Sequence, residues 1–153
     1  MAKAKWKDLI GRERWYNTED FDRDDVVLWD VLNVKPEQEL HLKFISTNSK
    51  HRQGLRIAVD VGEGYLEVNG VRAKGMQLWE YNAPKVVKIK CVTDSGLLSV
   101  YNIYERRSDG TVMSQMYKCG MLIEEQGNKR IYRCSENSDE GNFDRLVFQI
   151  ELL

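Results

Sequence analysis

Residues 85–105, KVVKIKCVTDSGLLSVYNIYE, alternate apolar and polar side chains on both sides of a Thr93-Asp94-Ser95-Gly96 turn. Val87, Ile89 and Cys91 fall on one face of the first segment and Lys88 and Lys90 on the other, the period-two signature of a half-buried β-strand. Beyond the turn, Leu98 and Val100 start an inward stripe that ends in Asn102 and Tyr104, with Tyr101 on the opposite side. The stretch therefore reads as a hairpin. An amide at the end of an apolar stripe has to find partners, as structure or as part of a pocket.

The same pattern spreads in both directions. Upstream, Leu40, Leu42 and Phe44 alternate with His41 and Lys43, and Leu55, Ile57, Val59 and Val61 form another inward set. Trp29 sits at the centre of the apolar run Val26 to Val34. Asn69-Gly70 is a hairpin turn signal, because both residues tolerate the positive φ of a type I′ turn. Downstream, Asp109-Gly110 and Gln126-Gly127-Asn128 mark further turns, and Leu146, Phe148, Ile150 and Leu152 line one face of a last strand. These signals predict about ten strands with turns about every 8–12 residues and no long helix, hence an all-β chain. An antiparallel β-sandwich of jelly-roll type is the expected architecture, although periodicity alone does not separate a sandwich from a barrel. Residues 1–25 read as an irregular or short-helical arm, with Trp6, Leu9 and Ile10 on one face before Gly11, packed on a single domain spanning 26–153.

Bulk properties fit that reading. The chain has 153 residues, 42% hydrophobic and 31% charged, with a formal net charge of −1. That length can bury a core without staples, and the balanced charge offers no field for nucleic acid or an anionic membrane. No run approaches bilayer-spanning length. The first residues lack a signal-peptide core, and Cys91, Cys119 and Cys134 are odd in number without CxxC spacing, so a cytoplasmic location is expected.

Motifs for catalysis are missing. His41 and His51 lie ten positions apart without a metal-ligand partner at suitable spacing, and the chain has no GxSxG, P-loop or GxGxxG element. Cys91 belongs to an apolar face, where a free cysteine acts as a small hydrophobe. The expected function is therefore non-catalytic. The acidic run from Asp20 to Asp25 has the alternating carboxylates of calcium loops, with Asp22 and Asp24 as candidate ligands. It is no EF-hand: its sixth position lacks glycine and its twelfth is Val31. A second acidic group, Asp139, Glu140 and Asp144, precedes the last strand and would meet the first if the terminal strands are neighbours. Trp79, Tyr81, Tyr101 and Tyr104, with Asn82 and Asn102, gather near predicted strand ends. Aromatic faces suit the C–H surfaces of sugars, and amides can hydrogen-bond hydroxyl pairs.

Three stretches, Leu55 to Gly70, Lys85 to Tyr104 and the closing NFDRLVFQIEL, resemble the galactose-binding-domain-like jelly rolls that include many carbohydrate-binding modules. The resemblance implies a structural calcium near the first and last strands, with Asp144 as a ligand. It also implies sugar platforms at Trp79 or Tyr101. Two other classes stay open: a protein-interaction module using a sheet face, and a β-barrel carrier of a small apolar ligand. A monomer or weak homodimer is expected.

Overall fold

The computed structural model describes residues 9–115, 118–136 and 142–153. Its strands are β1 (Trp15–Tyr16), β2 (Val27–Asn33), β3 (Glu37–Thr47), β4 (Arg52–Ala58), β5 (Gly64–Val68), β6 (Val71–Ala73), β7 (Gly75–Trp79), β8 (Val87–Thr93), β9 (Leu97–Glu105), β10 (Val112–Ser114), β11 (Gly120–Gln126), β12 (Lys129–Ser135) and β13 (Leu146–Leu152), with one 3-10 turn at Glu80–Asn82. They form a 13-stranded antiparallel sheet in the order β6-β5-β8-β3-β13-β12-β11-β2-β9-β4-β7, with β1 beside β2 and β10 beside β9. The sheet is nearly closed into a barrel. Strands outnumber the expected ten or so because segments as short as Trp15–Tyr16 and Val71–Ala73 are held by neighbours rather than by a pattern of their own.

Local chemistry explains most of the elements. The Asn69-Gly70 turn has φ +50° and +78° and joins β5 to β6 with Val68 opposite Val71, as a type I′ hairpin requires. On β8, Val87, Ile89 and Cys91 are buried, and across β3 the polar face sets Lys90 against Glu37 at 3.6 Å. Of the helix expected from Trp6 to Ile10, residues 6–8 lie outside the described part. At its end Arg12 N donates to Leu9 O.

One expectation needs correction. The turn at 93–96 does not close a hairpin: β8 pairs with β3 and β5, whereas β9 pairs with β2 and β4. The chain instead arches from one part of the sheet to another, so that the inward side chains of β8 and β9 join one core cluster. The turn's polar groups serve the arch. Ser95 N donates to Thr93 Oγ1, Leu97 N to Ser95 Oγ, and Glu63 N to Asp94 Oδ1.

The interior is a large apolar cluster. Leu40, Leu42, Leu55, Ile57, Leu98, Val100 and Met121 are fully buried around a stacked pair, Tyr132 and Phe148, whose centroids are 4.5 Å apart. Burying each such side chain stabilises the fold by roughly 1.5–3 kcal/mol. The Tyr132 hydroxyl donates to Asp30 Oδ2 at 2.6 Å, and Arg14 and Arg130 donate to the same fully buried carboxylate. Every charge in this inner network has a partner, which removes most of the penalty of burying it.

Candidate functional site

Alternation along β9 decides what the aromatic cluster can do. Tyr101 faces outward, where its ring lies 4.8 Å from that of Trp29 and 5.6 Å from the Arg56 guanidinium. Arg56 is itself forked onto Asp60 at 2.9 and 3.1 Å. Burial raises the Tyr101 hydroxyl above its ordinary range, with Arg56 opposing the shift. Asn102 and Tyr104 face inward and are buried. Asn102 Nδ2 donates to Ser135 O at 3.0 Å, and the Tyr104 ring lies 5.4 Å from His51. Beside them stands Glu136, buried, which accepts from Ser49 Oγ and Gln53 Nε2 with Arg145 at 3.7 Å. The five aromatic and amide candidates therefore do not share one surface.

Trp79 occupies a third place. It ends β7 opposite Gly54, and its indole lies against that glycine: a Cβ on Gly54 would meet ring carbons at 2.8 and 3.1 Å and Leu78 O at 2.5 Å. Only a residue without a side chain lets the ring lie there. Beyond Trp79 the chain makes its 3-10 turn and crosses to β8, along the seam where β5 and β7 approach without pairing. A cleft of about 440 Å³ opens on this seam, lined by Trp79, Leu78, Pro84, Asn69, Asn82 and Lys88 among others. It combines one indole, two carboxamides and one ammonium with an apolar floor. The side chains of Asn69, Asn82 and Lys88 are exposed, and among the described residues none engages a protein hydrogen bond or ion pair. Tyr81 is just outside the cleft lining and 54% exposed, with the Arg52 guanidinium 4.1 Å from its ring.

No protein-family model matches the chain, and no curated protein matches it. The site has to be read from its own chemistry.

The acidic segments do approach one another. Phe21 and Phe143 have centroids 5.4 Å apart, and the Arg23 guanidinium lies 5.6 Å from the Phe143 ring. Asp22 and Asp24 are exposed, Asp25 is paired with Arg23, and Asp144 accepts from Asn48 Nδ2 at 2.7 Å. Among the described residues no three histidine, cysteine or carboxylate side chains converge. Asp139 and Glu140 lie outside the described residues. The three cysteines are buried and none is in a disulfide. Burial pushes Cys91 up to about 11 and Cys134 well above its ordinary value, with Cys119 adding to the shift at Cys134. His51 Nδ1 accepts from Arg107 N at 3.1 Å, and His41 is half-buried on β3. Among the described residues no helix is long and apolar enough to cross a membrane.

Sequence reasoning passed over several of these groups. Asp30 carries a signal, a carboxylate at an inward position within VVLWDVL, which demands buried cations. Asn69 was legible as a turn residue, but nothing in its local sequence places it beside Trp79.

Proposed function

We propose that this chain is a non-catalytic binding module and that its ligand is a carbohydrate ring, free or on a glycoconjugate, held in the seam cleft. The observation that carries the reading is the lining itself: Trp79 beside two unengaged carboxamides and the Lys88 ammonium in about 440 Å³. An indole face packs on sugar C–H groups, while amide and ammonium groups hydrogen-bond hydroxyls, and the volume is within the range of small-ligand sites.

A jelly-roll build of galactose-binding type belongs to the same reading. It is supported by the way consecutive strands β3 and β4 pair in turn with consecutive strands β8 and β9. The two strand pairs wrap one ribbon over both sides of the core, as in jelly rolls. Three cysteines without a disulfide suit a reducing compartment such as the cytoplasm.

A glycan panel probed with wild type and Trp79→Ala tests the proposal. Binding to a restricted set of sugars is expected, weakened about tenfold or more by the substitution, which corresponds to about 1.4 kcal/mol. Urea melts of both proteins establish that the variant is folded. Silence of the wild type across the panel would end the carbohydrate reading. It would favour a protein partner on the outer face, where Trp29, Tyr101, Arg56, Arg52 and Tyr81 supply the aromatic and arginine chemistry of interface hot spots.

A further inference from the structure

The seam cleft does not stop at its own wall. Asn69 and Lys88, which line it, also line a groove of about 280 Å³ on the outer face of β3, β5 and β8, together with Glu39, His41, Glu67 and Lys90. Trp79 lines the first space and not the second, so the two are successive compartments that meet at Asn69 and Lys88. Strand register builds the groove. β8 runs between β5 and β3, and Lys90 lies opposite Glu67 on one side and Glu39 on the other. Two residues earlier on β8, Lys88 lies opposite His41. Alternation turns these five side chains outward, since their neighbours Leu40, Leu66 and Ile89 are buried. Two interstrand spacings make the groove about 10 Å across, longer than one sugar ring.

The polar groups here are open to solvent and only partly used. Arg72 holds Glu67 at 2.7 Å and Glu37 lies 3.6 Å from Lys90. Among the described residues, the side chains of Glu39, His41 and Lys88 engage no protein hydrogen bond or ion pair. Two carboxylates and two ammoniums cancel in charge, so the groove offers no net attraction to an ion. An apolar ligand would strip water from all of them and return no hydrogen bonds. A hydroxyl both donates and accepts, so one polyol ring can donate to Glu39 and accept from Lys88 at the same time.

Resting on the carbohydrate reading of the seam cleft, we propose that the ligand is an uncharged oligosaccharide of at least two rings. One ring packs at Trp79, and the next lies over β5, β8 and β3 with its hydroxyls bonded to Glu39, His41 and Lys88. Asn69 and Lys88, common to both compartments, reach both rings.

The test compares glucose, galactose, mannose and N-acetylglucosamine with the homodisaccharide of each, titrated into the ¹⁵N-labelled full chain. The Trp79 indole and the His41 ring report the two compartments, assigned with Trp79→Phe and His41→Ala. For the sugar that binds, the monosaccharide is expected to shift Trp79 alone. Its disaccharide is expected to shift Trp79 and His41 and to bind about tenfold more tightly, the gain of one or two hydrogen bonds to charged groups. His41→Ala and Glu39→Ala should each remove most of that gain and leave monosaccharide affinity unchanged. Equal affinity for both lengths with His41 unmoved would overturn the second compartment and leave the one-ring reading standing. A length-dependent gain that survives both substitutions would overturn its placement on β3, and tighter binding of digalacturonate would overturn the uncharged class. Silence of every sugar would overturn the carbohydrate reading and this inference with it. Both substitutions are on the outer face, and urea melts verify their folding; should one fail, the other and the wild-type length comparison decide.

Discussion

The two sides of the barrel use polar groups in opposite ways. Where β2 faces β12, Asp30 is fully buried and both its oxygens are taken, by Arg14 on one and by Arg130 and Tyr132 on the other. Where β6 and β7 end the sheet, Asn69, Asn82 and Lys88 reach solvent unengaged around Trp79. Sheet closure explains the contrast. Enclosed by neighbouring strands, the Asp30 carboxylate takes all its partners from the protein. At a seam the chain crosses in turns, and loops supply both concavity and free side chains. The first side encloses its polar groups, and the second leaves them open to solvent.

The sharpest way to break this comparison is Asp30→Ala. It leaves the Tyr132 phenol without its acceptor and Arg14 and Arg130 with Glu125 as their one remaining carboxylate, and is expected to destabilise the fold by about 3 kcal/mol, the low end for a buried pair because both arginines reach solvent. Urea denaturation measures this, and a cost under about 1 kcal/mol would show that the network is not a stability centre. Gly54→Ala acts at the seam instead. Its new methyl meets Leu78 O and the Trp79 ring, so a loss of about 1–3 kcal/mol is expected from overpacking. A blue- or red-shifted Trp79 emission in a single-tryptophan background would report the displaced ring. An unchanged spectrum would mean that the ring is not seated on Gly54.

The smallest effect concerns the buried core. The Cys91 thiol lies at about 11 when folded against an ordinary 9.0. A raised value means that the unfolded chain releases its proton first, so the contribution is complete below pH 9 and is lost as pH rises from 9 through 11. The urea midpoint should therefore drop as pH rises from 9.0 to about 11, and Cys91→Ser should lessen that drop, with Cys134 supplying the remainder. A midpoint equally steep in the variant would assign the effect to other groups.

Much of the fold was legible locally. Val87, Ile89 and Cys91, Leu40 and Leu42, and Leu146, Phe148 and Ile150 all face the core as their alternation required. The candidate site was legible only in fragments. Trp79 was visible as a half-buried aromatic near a strand end, but its company was not: Asn69 and Lys88 reach it from other strands. Tyr101 and Tyr104, three positions apart, lie on opposite faces. Ile45 shows a further limit. A β-bulge between β3 and β13 leaves it out of register and 53% exposed, although it is apolar.

By itself the sequence determined that the chain is β throughout, where it turns and which side chains point inward. Period-two burial and turn chemistry act between residues a few positions apart. Tertiary structure alone decided that the 93–96 turn is an arch, that Asp30 meets Tyr132 from 102 positions away, and that the sheet stops at a seam beside Trp79. Strand pairing joins residues distant in sequence, and the same alternating pattern is compatible with many pairings, so only the packed core selects among them.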